Sequence, residues 1–434
     1  MCRRYRKVWG TEMNITDVHA RQILDCKARP MVEVKVTLED GTVGRGAGPT
    51  GTTVGAHEAS VLRDHDFSHY NGLGVQKAVA NVNGPIADAL RTMPIEDQSA
   101  LDEAMIALDG SPDKGRLGGN AIYSASIACF RAQAASQKTP LYALIAGDTV
   151  NRLPVPCFNV VNGGRYDEFT QPFNEFLVVP SGAESVEHAI EIGVRLFHQI
   201  GLEMTKATKA PPRVATSYGH AAPYADPAAV LDLMRTAAVA CQVDNYIAYA
   251  LDCASSEMYD SKSATYELNG RRVSADDLIE SVAHLSQEFD LVFVEDLLDE
   301  DDWEGYVRAR RELSRTLLLG DDLIVSDRKR LQQAIAMKAV DGFVLKPNQV
   351  GTISEALDTH AEATQHGLIS VPSGRSGGVI DDIVMDLSVG LGVPFQKNGA
   401  PRSGERIEKL NFLLRVIDEN PGCRMTDLAD VVRY

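Results

Sequence analysis

Five charged residues each stand at the end of a short apolar run. The run 247–251 is followed by Asp252, 291–294 by Glu295 and 316–320 by Asp321. The run 342–345 leads to Lys346 and 393–396 to Lys397, while 368–371 leads to Ser373. Three carboxylates brought to one point repel unless a cation holds them together. Oxygen ligands around an open coordination face suit Mg²⁺, so Asp252, Glu295 and Asp321 are the candidate metal ligands. Lys346 and Lys397 supply positive charge for the anionic groups of a substrate. A lysine beside a metal and a second lysine loses its proton more readily. Lys346 is therefore a candidate base for removing a proton next to a carboxylate, with the metal stabilising the enolate. The segment 371–377 (VPSGRSG) is small and flexible and carries Ser373, Gly374, Arg375 and Ser376. A guanidinium with hydroxyls and backbone N–H groups suits a phosphate or phosphonate.

The elements that position these residues follow from their spacing. Steps of 43, 26, 25, 27 and 24 residues separate Asp252, Glu295, Asp321, Lys346, Ser373 and Lys397. About 25 residues make one strand, one helix and two short loops, the unit of a (β/α) barrel, whose active site lies at the C-terminal ends of the strands. Helical stretches at 329–338 and 353–365 fall between the runs. The first part of the chain reads as a smaller α+β domain. Residues 31–38 alternate as a half-buried strand does, Glu39-Asp40-Gly41 supplies a turn, and 42–46 is the return strand. A Gly/Thr-rich stretch at 48–55 suits a flap. Residues 75–146 are helical with a polar break at 110–119, and the prolines of 153–156 mark a linker or domain entry. The division expected is 1–150 for the first domain and 151–434 for a barrel that carries the site.

Composition excludes several classes. Apolar residues make up 44 % and charged residues 24 %, with a formal net charge of −17. These are globular values, and the acidic balance argues against a nucleic-acid partner. The seven cysteines are scattered without a CxxC pair, so reduced thiols in a cytoplasm are expected. The basic start, 1–10, is not followed by an apolar core, and no run is long enough to span a membrane.

Further motifs lie along nearly the whole chain: Ile23-Leu24-Asp25, Val32-Glu33-Val34, His57-Glu58-Ala59, Leu108-Asp109-Gly110, the run 159–164 (NVVNGG) and Glu175-Phe176. In the second part stand 251–257 (LDCASSE), Val294-Glu295-Asp296, 299–305 (DEDDWEG), Gly320-Asp321-Asp322-Leu323, 346–352 (KPNQVGT) and Gly399-Ala400-Pro401. With these the chain resembles the enolase family. The resemblance implies an enolase-like α/β fold, an N-terminal α+β capping domain followed by a modified TIM-type (β/α)8 barrel with an antiparallel pair among its first strands. It implies Mg²⁺ on Asp252, Glu295 and Asp321, a base at Lys346, and Glu175 and Lys397 in the catalytic set. Lys397 would bind the substrate carboxylate, and Arg375 and Ser376 the phosphate of a small phosphorylated acid. A homo-oligomer, commonly a dimer, is implied as well.

The chain also departs from the family pattern. Where enolases carry Gly-Asp-Glu-Gly-Gly, whose Glu helps expel the leaving hydroxide, residues 214–220 read VATSYGH. Ser217 or Tyr218 stands in place of that acid, and Tyr218, His220 or a water is left to replace it. Gly374 replaces the histidine of the phosphate loop, Tyr166 stands for a histidine after Asn-Gly-Gly, and Thr53 for the flap serine. Loss of a general acid commonly costs about 10²–10⁴ in rate, and Gly for His opens space beside the phosphate. These departures point to the carboxyphosphonoenolpyruvate synthase branch, which joins an enolpyruvate to phosphonoformate in phosphonate pathways. A 2-phosphoglycerate dehydratase and a binding protein without turnover are the other readings.

Overall fold

A computed structural model describes residues 13–51, 55–147, 150–168 and 170–433. The chain opens with β1 (Ile15–Leu24), β2 (Pro30–Leu38) and β3 (Val43–Ala47), an antiparallel sheet in that order. The alternating residues of β2 bury Val32, Val34 and Val36. Helix α2 (Gly119–Ser136) covers that face, and α1 (Gln98–Asp109) packs against α2. α2 is rich in alanine and serine and comes so close to β3 that a Cβ at Gly44 or Gly46 would overlap its backbone. The turn expected at 39–41 is present, with Gly41 at φ +85°. β1 was not legible as a strand.

The second part forms a barrel. Its strands are β4 (Val155–Asn162), β5 (Glu175–Val179), β6 (Ala248–Asp252), β7 (Leu291–Glu295), β8 (Leu317–Gly320), β9 (Gly342–Leu345), β10 (Ile369–Pro372) and β11 (Phe395–Lys397). They pair in the order β10-β9-β8-β7-β6-β5-β4-β11. A parallel bridge from Ser373 to Lys397 joins the two ends of that order. β5 runs antiparallel to both β4 and β6, and the remaining neighbours are parallel. The strands are continuous apolar runs because helices cover their outer face.

The stretch 153–156, expected as a linker or domain entry, enters the barrel directly: Val155 and Pro156 begin β4 and pair with Phe395 and Gln396. Proline excludes helix but tolerates extended backbone. The 43-residue step from Asp252 to Glu295 is long because it carries three short antiparallel strands, at Tyr259–Asp260, Thr265–Leu268 and Arg271–Val273.

The outer helices start on side-chain caps. Ser274 and Asp277 form a reciprocal capping box at α3 (Ala275–Glu288). Asp327 accepts from two backbone N–H groups at α4 (Arg328–Met337), and Thr352 caps α5 (Ile353–Gln365). The last helix, α6, covers Gly404–Glu419. No helix among the described residues is long and apolar enough to cross a membrane.

Candidate active site

Strand register brings the acids together. Glu175 lies opposite Asp252, and Asp252 opposite Glu295, across β5, β6 and β7. Asp321 follows β8 directly, and Lys346 follows β9. Lys397 ends β11 and points its ammonium at three of the four acids gathered there. It stands 3.3 Å from Glu175, 3.3 Å from Asp252 and 2.5 Å from Glu295. Asn159 of β4 holds the other side of Glu175 with a hydrogen bond of 2.7 Å. Asn162 accepts from the Gly219 N–H at 2.9 Å and so braces the 214–220 loop.

Asp321 pairs with Lys346 and accepts from Gln349 at 2.8 Å. Among the described residues, the carboxylates whose oxygens all lie within 4.8 Å of one another are Asp296, Asp321 and Asp322, not the expected Asp252, Glu295 and Asp321. The Lys397 ammonium sits among the expected acids, and Lys346 holds Asp321. Asp296 is committed elsewhere. Its two oxygens accept the backbone N–H groups of Asp321 at 2.8 Å and Asp322 at 2.9 Å. It therefore braces the loop that carries Asp321.

These acids carry more negative charge than the lysines cancel. Burial pushes the Asp252 carboxyl up to about 6 against the pull of Lys397. Burial and then Asp252 push Glu295 well above the carboxyl range. Burial and then Asp321 do the same to Asp322. Burial also works to raise Asp321, but Lys346 overcomes it and holds that carboxyl below its ordinary value. The neighbouring carboxylates favour the charged form of both lysines. Burial opposes each ammonium, and Asp321 for Lys346 and Glu295 for Lys397 outweigh it. Asp321, in contact with Lys346, holds the proton on this lysine, and a cation drawing on the Asp321 carboxylate would weaken that hold. One oxygen of Glu295, Oε1, is buried without a hydrogen-bond partner. Oxygen-only donors, surplus negative charge and that orphaned oxygen fit a hard divalent cation such as Mg²⁺.

The phosphate loop follows β10 and rests on the first domain. Arg375 makes a two-pronged pair with Glu58 at 3.0 and 3.1 Å, and Thr50 bridges to Gly377. Ser373 Oγ donates to the Gly374 carbonyl at 3.0 Å. The Ser376 carbonyl faces the Cys26 thiol, and Ser376 also lines the central cavity of about 70 Å³, together with Arg375, Lys346 and Lys397. Gly374 does not leave an empty space, contrary to expectation. A Cβ built there would overlap the ammonium of Lys409, which comes from α6.

The candidates for the missing acid separate clearly. Ser217 lines the cavity. Tyr218 turns away, donates to the Cys26 carbonyl at 2.7 Å and stacks under Arg406. Burial, then Cys26, pushes its hydroxyl up to about 12. His220 stacks on Phe197 and bonds the Phe197 carbonyl at 3.0 Å. Burial lowers its imidazole to about 4. Neither side chain can serve as the acid from these positions. Tyr166 lines the cavity, and burial followed by Glu175 raises its hydroxyl to about 12. Thr53 lies outside the described residues. Glu58, Asp296, Arg406 and Lys409 were not singled out as site residues from sequence. Lys409 lies mid-helix, where strand-end reasoning gives no signal.

Two family descriptions match the chain: "Enolase, N-terminal domain" over residues 15–145 and "Enolase, C-terminal TIM barrel domain" over 150–425. A curated protein named Enolase from Methanopyrus kandleri is 40% identical over 413 residues, covering 94% of this chain and 96% of its own length. That likeness overturns the carboxyphosphonoenolpyruvate synthase reading and the phosphonate pathway with it. The physical premise of that reading, a vacated pocket at Gly374, fails as well, since Lys409 fills it. Matched by family descriptions over both domains and by a near full-length relative, the chain belongs to the enolase family.

Proposed function

We propose that the chain dehydrates 2-phosphoglycerate to phosphoenolpyruvate. The observation that carries this reading is the near full-length likeness to a protein named Enolase. The register that sets Glu175, Asp252 and Glu295 level across adjacent strands supports it. Asp252, Glu295 and Asp321 are the residues that would hold Mg²⁺, which when bound stabilises negative charge on an enolate.

The remaining roles fall to side chains of this chain. Lys397, fixed by three carboxylates, meets the substrate carboxylate. Arg375, its fork oriented by Glu58, meets the phosphate with Ser376. Lys346 takes the proton from the carbon bearing the phosphate in its neutral form, which it would reach once a cation draws Asp321 away from it, and the electron pair left on that carbon becomes the new double bond. Hydroxide leaves the neighbouring carbon and needs a proton to depart as water. No carboxyl stands on the 214–220 loop to give it, since Ser217 occupies the cavity wall. Glu175, between Asn159 and Lys397, would give it from its protonated form.

Exchange of the C2 hydrogen of 2-phosphoglycerate with deuterium oxide, followed by NMR with Mg²⁺ present, tests the assignment of the base. Exchange by the parent chain and none by Lys346→Ala is expected. Equal exchange by both would remove Lys346 from the role.

A further inference from the structure

Lys409 is 3 % exposed, a burial that lysine almost never reaches without a partner. Among the described residues its ammonium makes no hydrogen bond and no ion pair within 4.0 Å. Its surroundings explain how the charge is tolerated. Asp382 is its strongest opposite charge, yet the Asp382 oxygen Oδ2 is itself buried without a hydrogen-bond partner. Asp382 thus lowers the cost of the charge without capping it. The ammonium points into the wall of the cavity that Arg375, Ser376, Lys346 and Lys397 also line. It stands where any side chain at position 374 would begin, and Asp382 Oδ2 lies 3.5 Å from that same point. A side chain at 374 would displace the ammonium from this position.

We propose that the Lys409 ammonium is a phosphate-binding group of this site, occupying the space that Gly374 leaves beside Arg375 and Ser376. It replaces the donor lost with the loop histidine by a full positive charge, and it narrows the space for anything larger than phosphate. The role rests on the reading of the substrate as a phosphorylated acid. An ammonium held without a partner is ready to pair with an oxyanion, because the cost of its desolvation has already been met in folding.

The test is calorimetric binding of phosphoenolpyruvate with Mg²⁺, with inorganic phosphate as a competing probe. Lys409→Met is expected to bind phosphoenolpyruvate at least about tenfold more weakly, the scale of one charge-assisted contact, and to lose competition by phosphate. Lys409→Arg should recover part of the affinity. Gly374→Ala keeps the lysine but pushes its ammonium aside, so it should show a similar loss, and the double variant should be no worse than either. Affinity of Lys409→Met within about twofold of the parent would overturn the proposal. If Lys409→Met fails to fold by its melting curve, Gly374→Ala decides alone, and unchanged affinity there is equally fatal. If 2-phosphoglycerate is not turned over but phosphoenolpyruvate binding still depends on Lys409, the reaction is wrong and the phosphate contact stands. If turnover is found and Lys409 is indifferent, the reverse holds.

Discussion

Magnesium binding should depend on pH, and the strand-end acids set the direction. Burial raises Asp252 from an ordinary 3.8 to about 6. The folded chain then holds that proton more tightly than the unfolded chain. Its contribution to stability is fullest at low pH and is lost as pH rises from 3.8 toward about 6. Ionising this carboxyl costs about 3 kcal/mol more in the folded chain than in the unfolded one. Glu295 acts in the same direction. A divalent cation bound to these oxygens holds them ionised and cancels the penalty, but it must first displace the protons. Mg²⁺ should therefore bind about a hundredfold more tightly near pH 8 than near pH 4, by the same 3 kcal/mol. Titration calorimetry in two buffers of different ionisation enthalpy reads both the affinity and the protons released. Equal affinity and no proton release across that range would refute the reasoning. Glu295→Gln should weaken Mg²⁺ and leave the melting temperature in chelator unchanged or raised.

Other outcomes follow from contacts around the site. Removing Glu58 with Glu58→Ala leaves the Arg375 guanidinium buried without its main partner and should cost about 3–5 kcal/mol in denaturant unfolding; a loss below about 1 kcal/mol would show that the pair does not tie the loop to the first domain. His220→Phe should leave turnover within about twofold, because the ring stacks on Phe197 away from the cavity; a hundredfold loss in steady-state rate would return His220 to the list of acids.

The barrel was legible because its parallel strands are buried on both faces and end in charge, so apolar runs and terminal residues mark them directly. β7 ending in Glu295 and β9 followed by Lys346 are plain in the sequence for that reason. β1 was harder, since His19 and Arg21 face solvent between buried residues and mask the strand. β4 was hidden by Pro154 and Pro156, whose local preference against helix looks the same in a linker and in a strand. Candidate ligands were legible by type, but which acids converge depends on the lysines between them. That is why Asp321 falls with Asp296 and Asp322 rather than with Asp252 and Glu295. Gly374 marks an absence that only three-dimensional packing fills, since Lys409 arrives from a helix 35 residues later. The 214–220 loop showed the loss of the acid, but not that Tyr218 and His220 both turn away from the cavity.

Dehydration of 2-phosphoglycerate here must proceed without a carboxyl on the 214–220 loop. Ultraviolet absorbance of phosphoenolpyruvate, followed as purified protein acts on 2-phosphoglycerate with Mg²⁺ and then with chelator, tests it most directly. Mg²⁺-dependent formation of phosphoenolpyruvate is expected, slower than an ordinary kcat of about 10 s⁻¹ because the loop acid is missing, and abolished in Lys346→Ala. No phosphoenolpyruvate from a folded protein that binds both Mg²⁺ and 2-phosphoglycerate would contradict it.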